Sequence, residues 1–497
     1  MKRRTWYFVI AVLAVIAGCT NSDLHSGDRV LVAKFLYETK LQEPHRFDVV
    51  VFKYPGKPTN GGIKEGPIDK NVPKNYIKRL LGLPGEILAI FFGRLFHMPA
   101  PEPGAPPFID DVTDSGINPL DLWKNPHTND AKARQWFNEG RFKIIRKTPD
   151  VMLAMRRIVY DNDFPAKDLV GERWKRWKAS ESDIGWSEDK SNGFIHSGVG
   201  KDNVEWLRYR HVLRPDPGTP PAGFKPKPQL ITDFLDYNSF THDSRSFNWV
   251  GDLMVECKVE IAKAEGEFRM RLAKGINRFE ARFELASGKC TLVQLQDGQK
   301  EKVLAEQTTR VKTPGAYHLR FANIDARLTV WVDRDLPFGD GHDYPPPEIP
   351  SQEQRTALAE KKLDDAALHT ALLARRGPTA NDLEPAGFGS QGAAVQLHNL
   401  RLWRDCYYTT DSMSATDLTE ADLNPWSNGK PDDPTSWIEV KKLNFKTMYV
   451  QPGHYLCLGD NSQASSDSRD WGLVPERLML GRALLIYFPF QRAGAIR

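Results

Sequence analysis

The 497-residue sequence predicts a mainly β protein: a β fold divided between the two ends of the chain, interrupted by an inserted antiparallel β-sandwich, with a short N-terminal membrane or signal segment. Three observations predict it. Short β-branched runs bounded by turns occur near both ends, as in Arg29-Val30-Leu31-Val32 and Asp48-Val49-Val50-Val51-Phe52. Between residues 255 and 332 apolar and polar residues alternate in strand after strand, with Gly266, Gly275, Gly288 and Gly298 between them. At the start, Lys2, Arg3 and Arg4 abut an apolar run, Trp6 to Gly18.

Composition sets the outer limits. At roughly 150 residues per domain, this length suggests two to four domains. Lys+Arg 68 against Asp+Glu 64 gives a net charge of +4, and no dense basic stripe is present, so an electrostatic nucleic-acid binder is excluded. A chain that is 40% hydrophobic and 27% charged folds, and is neither disordered nor polytopic.

The apolar run has thirteen residues, and at ~1.5 Å rise per residue it spans only about 20 Å. That length suits a signal-peptide core or a short anchor. Either places the basic end inside and the bulk of the chain outside the cytoplasmic membrane. The run ends in Val15-Ile16-Ala17-Gly18-Cys19, which resembles the lipobox of bacterial lipoproteins, whose cysteine is lipidated. The other cysteines (Cys257, Cys290, Cys406, Cys457) are scattered without a CxxC pair. Two bridges and four buried single thiols both remain open.

Glu86–Ile90 and Arg94-Leu95-Phe96 read as strands flanking a turn at Phe91-Phe92-Gly93. Residues 99–107 are a breaker-rich linker. Thr148-Pro149-Asp150 reads as a helix start, with the helix continuing through Val151 to Ile158. A Pro-rich stretch, Arg214 to Gln229, precedes the alternating region. There Val255, Cys257, Val259 and Ile261 face one way and Glu256, Lys258 and Glu260 the other, as expected of sheets with one wet face each. Leu328–Asp333 resembles a strand of concanavalin-like (laminin-G-type) sandwiches. Ser351 to Arg376 reads as one amphipathic helix, and Val395 to Trp403 as the last sandwich strand. Residues 409–436 are polar, and from Trp437 to Pro489 the chain is strand-like again.

Three segments carry chemistry. The first is Gly27–Val32 with Arg46–Pro55. The second is Tyr76-Ile77-Lys78-Arg79-Leu80-Leu81-Gly82-Leu83-Pro84-Gly85-Glu86. The third is Gly459-Asp460-Asn461-Ser462, then Ser465-Ser466-Asp467-Ser468-Arg469-Asp470-Trp471-Gly472, Val474-Pro475 and Gly481-Arg482-Ala483. Together, and in this order, they resemble the bacterial type I signal peptidase (leader peptidase) family. The resemblance covers about 125 residues, a quarter of the chain. It implies a signal-peptidase-like β fold and a nucleophile/lysine dyad, in which a neutral lysine removes the nucleophile's proton. Such a lysine needs apolar surroundings, which disfavour its ammonium form.

On this sequence the matching lysine is Lys78, with Ile77, Leu80 and Leu81 available as apolar neighbours. The resemblance implies that Ser465 orients it, that Asp467 and Arg469 form an ion pair bracing the loop, and that Asp460 and Asn461 shape the turn. The nucleophile position departs from the family. Its serine lies eight residues before the glycine of the Gly-Asp pair, which here is Cys19. The family box Ser-Met-x-Pro-Thr-Leu reads Cys19-Thr20-Asn21-Ser22-Asp23-Leu24, and the position of a helper serine for the oxyanion is Ala17. Losing one such donor typically costs about 10²–10³ in rate. Cys19 is therefore the nucleophile of a Cys/Lys dyad or a lipidated anchor, and it cannot be both. Ser22 and Ser26 lack the family spacing.

No metal or cofactor is expected. The twelve histidines are dispersed, no HxxxH or Walker motif occurs, and Asp110-Asp111 and Asp432-Asp433 read as solvated. The resulting division is a signal or anchor segment 1–18, peptidase-like half 19–98, linker and helical insert 99–170, sandwich 171–408, linker 409–436 and second half 437–497. The expected function is a membrane-anchored endopeptidase that cleaves leader peptides from exported preproteins. The alternative is a catalytically silent lipoprotein that uses the peptidase-like scaffold and the sandwich to bind a peptide, a glycan or a protein. No nucleic-acid partner is expected.

Overall fold

The computed structural model describes residues 28–55, 57–59, 62–64, 75–100, 130–167, 169, 171–189, 192–213, 223–234, 248–411, 432–437 and 445–496. Cys19, the apolar N-terminal run, Ser22, Ser26 and Asp110-Asp111 lie outside them. Among the described residues no helix is long and apolar enough to cross a membrane.

The chain ends come together in one antiparallel sheet. Its order is Arg29–Ala33, Met479–Phe488, Val49–Lys53, Asn75–Gly82, His454–Leu458 and Val474–Pro475, with Gly494–Ala495 beside Met479–Phe488. A four-stranded sheet, Phe445–Val450, Glu86–Phe91, Arg94–Pro99 and Lys143–Ile144, lies beside it. Leu81, Leu88, Ile90, Met448, Val450, Leu456 and Leu458 form a buried core with Cys406 and Tyr408. The other face of the first sheet buries Val50, Phe52, Leu80, Cys457 and Trp471. Period-two alternation sends successive residues of Asn75–Gly82 to these different surroundings.

The middle of the chain forms two packed antiparallel sheets. The seven-stranded one runs from Trp177–Ala179 to Lys302–Thr308, and the eight-stranded one from Trp186–Glu188 to His342–Asp343. Phe268, Phe279 and Phe283 of one sheet meet Val255, Val259, Phe321 and Leu397 of the other in a large apolar core. Short strands that carry little alternation complete the sheets, among them Arg157–Asp161, which pairs with Ala394–Arg404.

Four expectations change. The helix from Pro149 ends at Met155 rather than Ile158, because the chain turns directly into that sandwich strand. Ser351–Arg376 is two helices, Gln352–Ala359 and Asp365–Arg376, broken where Lys361 takes a positive φ of 57°. The outer face of the eight-stranded sheet is partly covered: Met152 packs on Met254, Ala322, Ile324 and Trp331. Glu256, expected in water, is buried between His318 and Trp403. Of the cysteines, Cys257, Cys290, Cys406 and Cys457 are free and buried.

The segment leaving the sandwich returns against a hairpin of the first half. Phe92 and Gly93 turn the hairpin between Glu86–Phe91 and Arg94–Pro99, and the backbone N–H of Tyr408 donates to the Gly93 carbonyl at 3.0 Å. A side chain at Gly93 would collide with the Tyr407 ring at 2.2 Å.

Candidate active site

Strand pairing places the site. Lys78 stands opposite Val50 on one side, and Arg79 opposite Leu458 on the other. The chain leaves His454–Leu458 at Gly459 and loops back through a 3-10 turn, Ser462–Ala464, to the short helix Ser468–Trp471. That loop sets Ser465 against Lys78, whose Nζ donates to Ser465 Oγ at 2.8 Å. Gly459 permits the approach: a Cβ there would lie 2.0 Å from Ser465 Oγ and 3.3 Å from Lys78 Nζ. The first distance is too short for any side chain.

Burial pushes the Lys78 ammonium below the usual lysine range. Asp467 opposes the shift and Arg469 assists it. Of the three neighbours named from sequence, only Leu80 shares the face of Lys78. Ile77 is 44% exposed and Leu81 belongs to the other core, as alternation requires.

Asp467 and Arg469 form a bidentate pair, Nε to Oδ1 at 2.9 Å and Nη2 to Oδ2 at 2.6 Å, with both side chains wholly buried. Asp467 also accepts from the Gly459 N–H at 3.0 Å, tying the two ends of the loop together. Arg469 Nη1 donates to Ser462 Oγ at 2.7 Å, Thr409 O at 2.8 Å and Thr409 Oγ1 at 2.9 Å. Asp460 accepts two hydrogen bonds from Arg79, at 2.8 and 2.6 Å. Burial would raise the Asp460 carboxyl, but the Arg79 guanidinium outweighs it and holds it below the usual range. Asn461 is exposed and precedes the 3-10 turn, its carbonyl accepting from Ala464 N–H at 3.2 Å.

Sequence reading missed three participants. Arg79 had a signal, since it adjoins Lys78, but only the fold brings Asp460 to it. Thr409 and Cys406 had none. They lie on the segment returning from the sandwich, where Cys406 Sγ contacts the Asp460 carbonyl at 2.8 Å. The second motif also anchors Arg46. Glu86 accepts from that guanidinium at 2.9 and 2.7 Å and from the Leu83 N–H at 2.8 Å.

Asp252, Asp325 and Asp405 place carboxylate oxygens within 4.8 Å of one another, a spacing a cation could occupy. Their charges are already met. Lys147 Nζ donates to Asp325 and Asp405 at 2.7 Å each, and Arg94 forks onto Asp252 at 2.8 and 2.6 Å beside Lys274. This is a buried ion network between the hairpin at Arg94, the helical insert and the sandwich, and it has the donors of a structural weld.

The arrangement is thus a half-buried lysine hydrogen-bonded to a serine, on a β scaffold and braced by an Asp–Arg pair. The family described as signal peptidase, peptidase S26 matches residues 4–96 and 392–488, the two segments that form this sheet and loop. The two ends of the chain are thus similar to the type I signal peptidase family. It is 36% identical over 73 residues to a probable signal peptidase I-2 of Synechocystis, covering 15% of this chain and 34% of that protein. Over 70 residues it is 37% identical to a signal peptidase I of Buchnera aphidicola, covering 14% of this chain and 21% of that protein. Over 59 residues it is 39% identical to signal peptidase IB of Staphylococcus aureus, covering 11% and 31%. The chain thus spans about a third or less of the length of these relatives. Among solved structures, a carbohydrate binding module CBM66 from Bacillus subtilis covers 46% of this chain at 13% identity, with a TM-score of 0.26, a likeness too slight to argue from.

Proposed function

We propose that the chain is an endopeptidase of the signal peptidase I type, anchored through Trp6–Gly18 with its bulk outside the cytoplasmic membrane, and that it cleaves leader peptides from exported preproteins. The observation that carries this reading is the Lys78–Ser465 hydrogen bond at 2.8 Å around a lysine whose charged form burial disfavours. A scaffold without chemistry gains nothing from burying a lysine there. In this mechanism neutral Lys78 takes the proton of the Cys19 thiol as sulfur attacks the scissile carbonyl. Collapse of the tetrahedral intermediate releases the new amine, which takes that proton from Lys78, and leaves a thioester on Cys19. Water, deprotonated by Lys78, then attacks the thioester; the C–S bond breaks, the peptide leaves with its new carboxyl group, and the Cys19 sulfur takes the proton back from Lys78. Ser465 positions the lysine, and the Asp467–Arg469 and Arg79–Asp460 pairs hold the loop. The substrate is an extended peptide with small residues before the cut, pairing with a strand edge.

The Val15–Cys19 lipobox pattern and the loss of the surrounding serine box favour a second reading, a lipoprotein with no nucleophile, whose sandwich binds a glycan or a protein. Mass spectrometry of the mature N-terminus separates the two, since acylated Cys19 excludes the Cys/Lys peptidase. On the purified full chain with a preprotein substrate, Lys78→Ala and Cys19→Ala should each abolish cleavage while Cys19→Ser retains part of it. Undiminished cleavage by Lys78→Ala would sink the first reading.

A further inference from the structure

Away from this site, a cavity of about 690 Å³ opens between the four-stranded sheet and three helices, Asp130–Asn138, Gln352–Ala359 and Asp365–Arg376. Its volume falls in the range of small-molecule pockets. Phe91 and Phe445 line it from the sheet, and Leu368 and Leu372 from the last helix. Into these apolar walls comes Arg376, which is only 4% exposed. Its guanidinium lies over the Phe91 ring, 4.9 Å from the centroid. Among the described residues no hydrogen bond or ion pair reaches it, and its Nε is buried without a partner. A buried cation left without an anion is costly, and a guanidinium carries five N–H donors to satisfy.

Glu348 lines the same cavity but does not supply the anion. One of its oxygens accepts from Arg94, and the other, Oε2, is buried with no partner. Arg134 and Arg355 also line the cavity, as does Glu139. Glu348 and Glu139 are engaged by Arg94 and Arg141, which lie outside the lining, so Arg376 is the buried cation that a single negative head would neutralise. A dianion would meet Glu348 as well as Arg376, so one negative charge fits better than two. The planar fork of a guanidinium matches a carboxylate.

We infer that this cavity binds an amphiphilic monocarboxylate, its head on Arg376 and its apolar body against Phe91, Phe445, Leu368 and Leu372. Desolvation holds the Arg376 guanidinium down to about 10, and the Glu348 carboxylate opposes that shift without offsetting it.

The test is isothermal calorimetry on the full-length protein with decanoate and 2-naphthoate, each beside its neutral partner, decanol or 2-naphthamide. Saturable binding of at least one acid is expected, about tenfold or more tighter than its neutral partner. Arg376→Met should remove that preference. Leu372→Trp should fill the cavity and abolish binding while leaving Arg376 in place, and it decides the matter if Arg376→Met does not fold. The inference is overturned if neither acid saturates, if acid and neutral partner bind alike, or if binding survives in Leu372→Trp.

Discussion

Lys78 shows how one residue's reactivity is set against stability. Its folded form holds a proton less tightly than a free lysine at 10.5, with burial as the main cause. Between the lowered value and 10.5, folding releases a proton, so this group's contribution to stability rises with pH in that window and is unfavourable below it. Lys78→Met should therefore melt at the same temperature or higher than the parent at about pH 7, while cleavage is lost. In the parent, kcat/KM should climb as pH rises through the lowered value, because only the neutral amine accepts a proton. A Lys78→Met protein that melts well below the parent, or a profile falling over that range, contradicts this. Gly459 makes a sharper case. It contributes no chemistry, yet a single methyl there meets Ser465 Oγ at 2.0 Å and approaches Lys78 Nζ. Gly459→Ala should lower kcat by about 10² or more through displacement of the pair, since an ångström of misplacement costs on that order. Substrate KM should change little, and steady-state kinetics separates the two.

At the scale of elements, the segment 405–411 is the least expected part of the site. It closes the sandwich insert and then braces the loop that carries Ser465, through Thr409 onto Arg469 and Ser462. Thr409→Val removes one oxygen from a buried guanidinium's shell, and hydrogen bonds to charged groups are worth roughly 1.5–3 kcal/mol. Denaturant unfolding should show a loss of that order, and kcat should fall about tenfold, with Thr409→Ser restoring most of both. If Thr409→Ser behaves like Thr409→Val, the hydroxyl is not what holds Arg469. The contrast with Lys78 explains what the sequence could disclose. The strands Leu253–Ile261 and Glu267–Lys274 were legible because alternation is local, and Lys78 because its flanks match a family pattern. Thr409 carries no such mark: its partners lie 53 and 60 residues away in sequence and meet it only through the fold. The short strands Arg157–Asp161 and Trp186–Glu188 were likewise unreadable, being too brief for a period to show. The break at Lys361 had no Gly or Pro to announce it.

At the scale of the whole molecule, a sandwich inserted into a peptidase-like fold could be a passive appendage or a rigid part of it. The ion network at the junction favours the second. Arg94 comes from the hairpin beside the active-site sheet, Lys147 from the helical insert, and Asp252 and Asp325 from the sandwich. Asp405 directly precedes Cys406, which touches the Asp460 carbonyl. Burial raises the Asp252 carboxyl to about 7 against the pull of Arg94, and burial also raises Asp405 against that of Lys147. Groups whose folded values are raised take up protons on folding. Their contribution is thus fullest at low pH and is lost as pH rises through those values. Lys147→Met strands two carboxylates without their shared cation, and breaking a buried pair in this way typically costs about 3–5 kcal/mol. The loss should shrink as pH falls, because the Asp405 carboxyl, already raised by burial, can then take up a proton. Urea unfolding at about pH 5 and about pH 8 measures this. Equal losses at the two pH values would mean that the network's charges do not govern the junction. If the weld also positions the catalytic loop, the folded fraction of Lys147→Met at the higher pH should cleave its substrate more slowly than the parent, because Asp405 directly precedes the residue that contacts Asp460.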